Sequence, residues 1–135
     1  MPFSVSNRTS HTVTIDGNTY LTSFPVIRVD QGEPIEHRGC PLPAVMGGNP
    51  FTPQSIEAAA EQIIEDGADV VIVARVVLSA LMAHPDAGWG GSAILRALER
   101  AACPDTSPAS VIRDETGQII GVRRVVVAPY WQERQ

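Results

Sequence analysis

Alternating apolar and polar residues near the start of the chain predict short β-strands. Val13 and Ile15 alternate with threonines, which is the period of a half-buried strand. The dipeptide Asp16-Gly17 follows and is typical of tight hairpins, so residues 18–24 are expected to return as the partner strand. A second predicted hairpin consists of a strand at 26–29, a turn at 30–33 and a strand at 34–38.

The clearest predicted element is a helix that begins after Thr52. Thr52 is a good N-cap, Pro53 suits the first helical position and Gly67 is a natural C-cap. An apolar stripe at helical spacing runs along one face and consists of Ile56, Ala59, Ala60, Ile63 and Ile64. The preceding segment, 39–52, is rich in glycine and proline, and we interpret it as a loop that covers a sheet edge.

The middle of the chain predicts one strand and two further helices. Residues 70–74 are apolar without interruption and largely β-branched, as in a strand that is buried on both faces. Residues 75–84 predict a short helix, which Pro85 stops. Ser92 is expected to cap the next helix, whose apolar stripe continues to Ala101 before Pro104 ends it.

The last third of the chain predicts a β-hairpin. After a linker at 105–109, a strand at 111–113 leads into the turn 114–117. The return strand is expected to run from 119 to 128, with a bulge at Gly121.

These elements predict an α+β fold in a single domain, residues 1–135. The expected architecture has N-terminal β-hairpins, a central helix–strand–helix–helix, a C-terminal β-hairpin, and helices that cover one side of a mixed sheet. A length of 135 residues fits one domain, and 44% hydrophobic residues are enough for a core. The chain lacks both a signal-peptide pattern and an apolar run of about 20 residues, so we expect neither secretion nor membrane insertion.

The charge balance excludes some functions. The chain has fifteen acidic residues against ten arginines and no lysine, with a net charge of −5. The absence of lysine excludes Schiff-base and P-loop chemistry, and the acidic balance argues against a nucleic-acid partner. No cofactor is expected. For Cys40 and Cys103 we expect two buried thiols, while a single disulfide bridge stays open.

Two charged groups and one aromatic residue are candidates for contacts with a partner. The acidic stripe repeats every fourth residue along the helix after Thr52, and it is either a solvated face or a partner for arginines of another subunit. The C-terminal hairpin is expected to bring three arginines into a small basic patch that pairs with acids of a neighbouring subunit. The predicted interaction residues are Glu57, Glu61, Glu65, Arg113, Arg123, Arg124 and Trp131.

The most enzyme-like feature is the sequence His84-Pro85-Asp86. Asp86 would orient the imidazole of His84, beside a glycine-rich loop at 88–92. The candidate nucleophiles are Ser79, Ser92 and Cys103. The alternative is a histidine that caps its own helix, and a loop in which Trp89 serves as a packing plug. His37 and Cys40 have metal-ligand spacing, but the second half of a zinc motif is missing, so no metal is expected.

Two stretches resemble a known family. The sequence DVVIVARVVLSALMAHPD, residues 69–86, resembles the helix–strand–helix passage of HK97-type phage major capsid proteins, together with the preceding helix from residue 53. The sequence IIGVRRVVVAPYW, residues 119–131, is similar to the closing strand of the same peripheral domain. The chain is shorter than a full major capsid protein and has no long spine helix, so the resemblance implies a smaller head, neck or tail component.

The leading hypothesis is therefore a structural, non-enzymatic protein of a phage virion. Its partners would be itself or other virion proteins, and it would be found in the virion or the cytoplasm. Two alternatives stay open. One is a small cytosolic enzyme that uses His84 and Asp86, and the other is a small acidic regulatory or inhibitor protein.

Overall fold

The computed structural model describes residues 3–47, 50–129 and 131 of the chain. Three helices lie in these residues: α1 (Pro53–Asp66), α2 (Arg75–Ala83) and α3 (Ala93–Leu98). The described strands are β1 (Val5–Asn7), β2 (Val13–Ile15), β3 (Asn18–Tyr20), β4 (Glu36–His37), β5 (Ala44–Val45), β6 (Val70–Ile72), β7 (Ala101–Pro104), β8 (Val111–Arg113), β9 (Ile119–Val122) and β10 (Val125–Val127). The predicted α+β class is confirmed.

The first sheet has the strand order β1-β6-β7-β10 and is mixed. β1, β6 and β7 are parallel, and β10 is antiparallel to β7. Parallel neighbours need a crossover connection, and α1 supplies it before β6, while α2 and α3 supply it before β7. The three helices pack against one another, and α2 and α3 contact β7, so all three cover one side of this sheet, as expected.

The core lies between this sheet and the three helices. Helix α1 faces it with Ala59, Ala60 and Ile63, each fully buried. The predicted cap is confirmed, because Thr52 Oγ1 accepts a hydrogen bond from the N–H of Ser55 at 3.3 Å. Gly67 ends the helix with φ 77°, a left-handed conformation that favours glycine.

The second sheet has the order β3-β2-β9-β8 and contains two predicted hairpins. In the first, Asp16 and Gly17 both have positive φ, as the tight turn between β2 and β3 requires. In the second, Ile112 pairs with Gly121 and Arg113 pairs with Ile119. The extra residue of this bulge is therefore Ile120, next to the predicted Gly121.

The return strand predicted for residues 119–128 is wrong, because the chain changes sheets in the middle of it. β9 ends at Val122 in the second sheet, and β10 begins at Val125 beside β7 in the first. Ser110 is fully buried at this corner. Its hydroxyl accepts hydrogen bonds from the N–H groups of Arg123 and Arg124 at 3.1 and 3.3 Å, so these groups are satisfied where the ladder is interrupted.

The helix predicted from Ser92 to Pro104 is also wrong in its second half. It ends at Leu98, and residues 101–104 form β7, which lies between β6 and β10. Ala101, Ala102 and Cys103 are completely buried. A strand covered on both faces shows no alternation of polar residues, so its apolar positions fit a helical stripe equally well.

The second N-terminal hairpin is wrong as well. Residues 26–29 form no strand, and Ile27 instead donates its N–H to the carbonyl of Arg8 and is buried. The strand Glu36–His37 pairs with Ala44–Val45, which lies inside the segment predicted as an irregular loop. None of the helices in the described parts of the chain is long and apolar enough to cross a membrane.

Candidate functional site

The acidic stripe of α1 faces solvent along its whole length. Glu57, Glu61 and Glu65 are exposed, while the opposite face of the helix carries the core residues. No arginine in the described parts of the chain forms an ion pair with these three residues. Glu57 lies nearest to another charged group, with its Oε1 3.8 Å from Nε2 of His84. The stripe is accessible to solvent, and its role as a contact with a partner stays a prediction.

The three arginines of the C-terminal hairpin do not form the predicted patch. Arg113 lies at the turn end of the β8–β9 ladder and donates through Nη1 to the carbonyl of Gly117. Arg123 follows the opposite end of β9, and its side chain is exposed. Arg124 pairs within the chain, because its Nε donates to Oδ2 of Asp105 at 2.6 Å. Of the three, Arg123 is the one whose guanidinium has no acceptor among the described residues.

The Arg124–Asp105 pair joins the sheet corner to the end of β7. Its hydrogen bond, with another from the N–H of Ser107, lowers the pKa of Asp105 from 3.8 to about 2. Trp131, the last described residue, is half-buried and donates its N–H to the carbonyl of Ala128 at 3.0 Å. The other member of the predicted aromatic pair, Tyr130, lies outside the described residues.

His84 and Asp86 are close together but are not arranged as a catalytic pair. Nδ1 of His84 accepts a hydrogen bond from the backbone N–H of Asp86 at 3.1 Å. The carboxylate of Asp86 is 4.0 Å from the same nitrogen, which is too long for a hydrogen bond. In a catalytic triad the carboxylate accepts a hydrogen bond from the Nδ1–H of the histidine. Here Nδ1 is itself the acceptor, so the neutral ring has the opposite tautomer. The N–H of His84 also donates to the carbonyl of Leu81, as a residue that ends α2.

Two of the three candidate nucleophiles are unsuited. Ser92 caps α3: its hydroxyl accepts from the N–H of Leu95 at 3.0 Å and donates to the carbonyl of Asp86 at 2.8 Å. Cys103 is completely buried, and this burial raises the pKa of its thiol, so the thiolate is disfavoured. Ser79 is exposed on α2. Trp89 is 67% exposed, so the expectation that it plugs the loop is wrong.

The cysteines and the possible zinc ligands are separate from one another. Both cysteines are free, and the expectation of two buried thiols holds for Cys103 but fails for Cys40, which is exposed. His37 accepts a hydrogen bond at Nδ1 from the N–H of Gly39. In the described residues, no group of three or more histidine, cysteine or acidic side chains is arranged to hold a metal ion.

The sequence reasoning missed a projecting segment, which we call the arm and define as residues 33–47. Every residue of the arm except Ala44 is exposed. Four large apolar side chains lie on it: Ile35, Leu42, Val45 and Met46 are 61%, 72%, 59% and 48% exposed. The signal in the sequence was the presence of these apolar residues among glycines and prolines, where the pattern predicted a strand at 34–38 and an edge-covering loop at 39–52.

The base of the arm is fixed to the body by backbone contacts. Gln31 forms a bridge with Phe51, and the N–H of Thr52 donates to the carbonyl of Asp30 at 2.8 Å. The arm itself is held by the pairing of β4 with β5 and by the N–H of Met46, which donates to the carbonyl of Ile35. An isolated two-stranded hairpin is at best marginally stable in water, so the arm lacks the packing that supports the other strands.

The carboxyl ends of the parallel strands open on a cavity of about 410 Å³. Ligands commonly bind at this edge of α/β sheets. Here the cavity lies between the segment 26–30 and the start of α2, and its charged side chains, His11, Arg28 and Asp30, are all exposed. The buried polar residue that lines it, Thr9, already hydrogen-bonds through its hydroxyl to Asn7 Oδ1 and to the carbonyl of His11, so the described lining holds no unpaired buried polar group that would select a ligand.

Comparisons with known proteins identify no relative: no protein-family model, curated protein or solved structure matches the chain. The capsid-like resemblance therefore stays a prediction. Two surfaces of the described chain have features that the stability of the fold does not require. They are the exposed apolar arm and an apolar cavity that is lined by His84.

Proposed function

We propose that this chain is a non-enzymatic assembly protein that works through contacts between copies of itself, as a component of a phage virion. The observation that carries the proposal is the arm, because it exposes four large apolar side chains on a hairpin that has little support of its own. Exposed apolar clusters of this kind mark protein interaction sites. The direction toward a virion comes from the resemblance of residues 53–86 and 119–131 to capsid proteins.

The total surface supports the same proposal. The chain exposes 8867 Å². A compact monomer of its 14.4 kDa mass would expose about 6,800 Å² by the usual scaling of surface with mass. The excess of about 2,000 Å² exceeds the roughly 800 Å² that each partner contributes to a standard protein–protein interface. Contact with neighbouring subunits would cover apolar surface that a monomer leaves in water.

The charged surfaces would add register to such a contact. Glu61, Glu65 and the exposed guanidinium of Arg123 have no partners within the described chain, and Glu57 has only the imidazole of His84 at 3.8 Å. The glutamates and the arginine have opposite charges. Arginine forms directional, two-pronged pairs with carboxylates, so pairs between subunits would fix their relative position. The apolar arm would supply most of the affinity, because exposed ion pairs are weak.

A matched pair of leucine substitutions tests the proposal. Leu42 in the arm and Leu21 outside it are 72% and 74% exposed, so either can be replaced by aspartate at little cost to the fold. We expect the wild-type chain to have a mass above 14.4 kDa by size-exclusion chromatography with light scattering. Leu42→Asp should return it to the monomer mass, whereas Leu21→Asp should leave the assembly intact.

The salt dependence separates the apolar from the charged contribution. An assembly held by the arm should persist when the salt concentration is raised, because salt screens exposed charges and not apolar contacts. The contact would instead be assigned to the acidic stripe if the assembly dissociates at high salt and is also lost when Glu57, Glu61 and Glu65 are replaced by arginine. A wild-type chain that is monomeric at every concentration tested would contradict self-assembly.

A further inference from the structure

An apolar cavity of about 440 Å³ lies between the start of α1 and the end of α2. Phe51, Pro53 and Ile56 form one wall, and Ala80, Ala83 and Pro85 form the other. Among the described residues, His84 is the one polar residue that lines it. The volume lies in the range of about 300 to 1,000 Å³ that is usual for small-molecule sites, which combine apolar walls with a few placed polar groups.

The imidazole of His84 lines this cavity and has one hydrogen-bond donor without an acceptor in the described chain. Its side chain is only 9% exposed. Nδ1 accepts the N–H of Asp86, so the neutral ring carries its proton on Nε2. The carboxylate of Glu57 lies 3.8 Å from Nε2, which is beyond hydrogen-bond distance. Within the described chain, Nε2–H therefore has no acceptor and can donate to a ligand.

Glu57 does not itself line the cavity, but its carboxylate lies 3.8 Å from Nε2 of His84, so the two groups together define what would fit beside the imidazole. An atom between them must accept from Nε2–H and donate to a carboxylate, and a hydroxyl group does both. The separation of 3.8 Å lets one oxygen lie within about 2.7 to 2.9 Å of both groups. A carboxylate ligand would be repelled by Glu57, and a hydrocarbon would leave Nε2–H unpaired.

The apolar walls define the rest of the ligand. Proline, alanine and phenylalanine side chains surround the space next to the imidazole, and an apolar cavity of about 150 Å³ is enough for a benzene ring. We propose that this cavity binds a phenol ring, whose hydroxyl group accepts a hydrogen bond from His84 Nε2–H and donates one to the carboxylate of Glu57.

The test titrates the full chain with p-cresol and with toluene, which differ by the hydroxyl group. Chemical-shift changes of backbone amides give the affinity and locate the site. We expect saturable binding of p-cresol at the amides of the cavity, about tenfold tighter than toluene, which corresponds to one added hydrogen bond. Absence of saturable p-cresol binding, or equal affinity for toluene, would overturn the proposal.

Variants identify the two polar groups. His84→Phe keeps a ring but removes the donor, and it should reduce the affinity for p-cresol to that for toluene. Because His84 also ends α2, the circular dichroism spectrum of the His84→Phe variant must match that of the wild type. Glu57→Gln should not change the stability of the fold, since Glu57 is exposed. It should weaken p-cresol binding severalfold without changing toluene binding. Glu61→Gln, one turn further along α1, is the control, and an equal effect there would contradict the role of Glu57.

A third ligand distinguishes the source of the phenol ring. N-acetyl-tyrosinamide carries the same ring on a peptide backbone. Binding of this compound at the same amides would assign the cavity to a tyrosine side chain of a partner protein. Binding of p-cresol without it would assign the cavity to a free phenolic molecule. Neither result depends on whether the chain assembles through its arm, so the two proposals fail separately.

Discussion

The arm and the helix-covered sheet both contain large apolar residues, yet only the sheet buries them. Ile63, Val71 and Leu98 are fully inaccessible between the sheet and its helices. Leu42 and Ile35 are 72% and 61% exposed on a hairpin that pairs only with itself in the described chain. The comparison teaches that apolar content alone does not make a core. A strand buries its side chains only where a second layer covers it.

The largest expected effect comes from making the same substitution in both regions. Leu98→Ala removes a completely buried side chain and should lower the free energy of unfolding by about 4 kcal/mol. At a concentration where the chain is monomeric, Leu42→Ala should change it by less than about 0.5 kcal/mol, because the side chain is then in water. Urea denaturation followed by circular dichroism measures both. Equal losses in the two variants would mean that the arm packs against the body and would remove the contrast.

The dependence of stability on acidic pH tests the ion pair between Arg124 and Asp105 at the sheet corner of the body. Asp105 has its pKa lowered from 3.8 to about 2, chiefly by its hydrogen bond from Arg124. A carboxyl group with a depressed pKa in the folded state contributes stability above 3.8, which is lost as the pH falls toward about 2. We therefore expect the urea midpoint to fall across this range.

The control for this prediction is Asp105→Asn, which removes the titrating group. Its urea midpoint should be lower than that of the wild type at neutral pH, because Arg124 loses its partner. It should also fall less steeply between pH 3.8 and about 2. Parallel pH profiles for the two proteins would show that this ion pair does not stabilise the corner.

The smallest effect compares two glycines. Gly67 ends α1 in the left-handed region with φ 77°, where an alanine side chain is strained, so Gly67→Ala should cost about 1 kcal/mol. Gly47 lies in the arm, and a Cβ atom there meets nothing within 4 Å. Gly47→Ala should leave the unfolding free energy unchanged. A clear loss of stability at Gly47 would indicate that the arm is held more tightly than its exposure suggests.

Only part of the candidate site could be predicted from the sequence. The exposure of Glu57, Glu61 and Glu65 followed from helical periodicity, which is a local property of α1. The position of the arginines depended on strand register and on the change of sheet after β9. The cavity beside His84 depended on the packing of α1 against α2, two helices that are separated in the sequence by β6 and its flanking loops. The sequence pattern therefore placed the acidic stripe but not its histidine neighbour.

What the sequence determined by itself was the local structure that strong local signals specify. Thr52, Pro53 and Gly67 set the limits of α1, and Asp16-Gly17 set the first hairpin, because caps and tight turns need particular residues at particular positions. Tertiary structure alone decided that residues 101–104 are a strand between β6 and β10 and that β10 leaves its hairpin for the other sheet. An apolar segment buried on both faces has no periodicity to read, so only its neighbours fix its conformation.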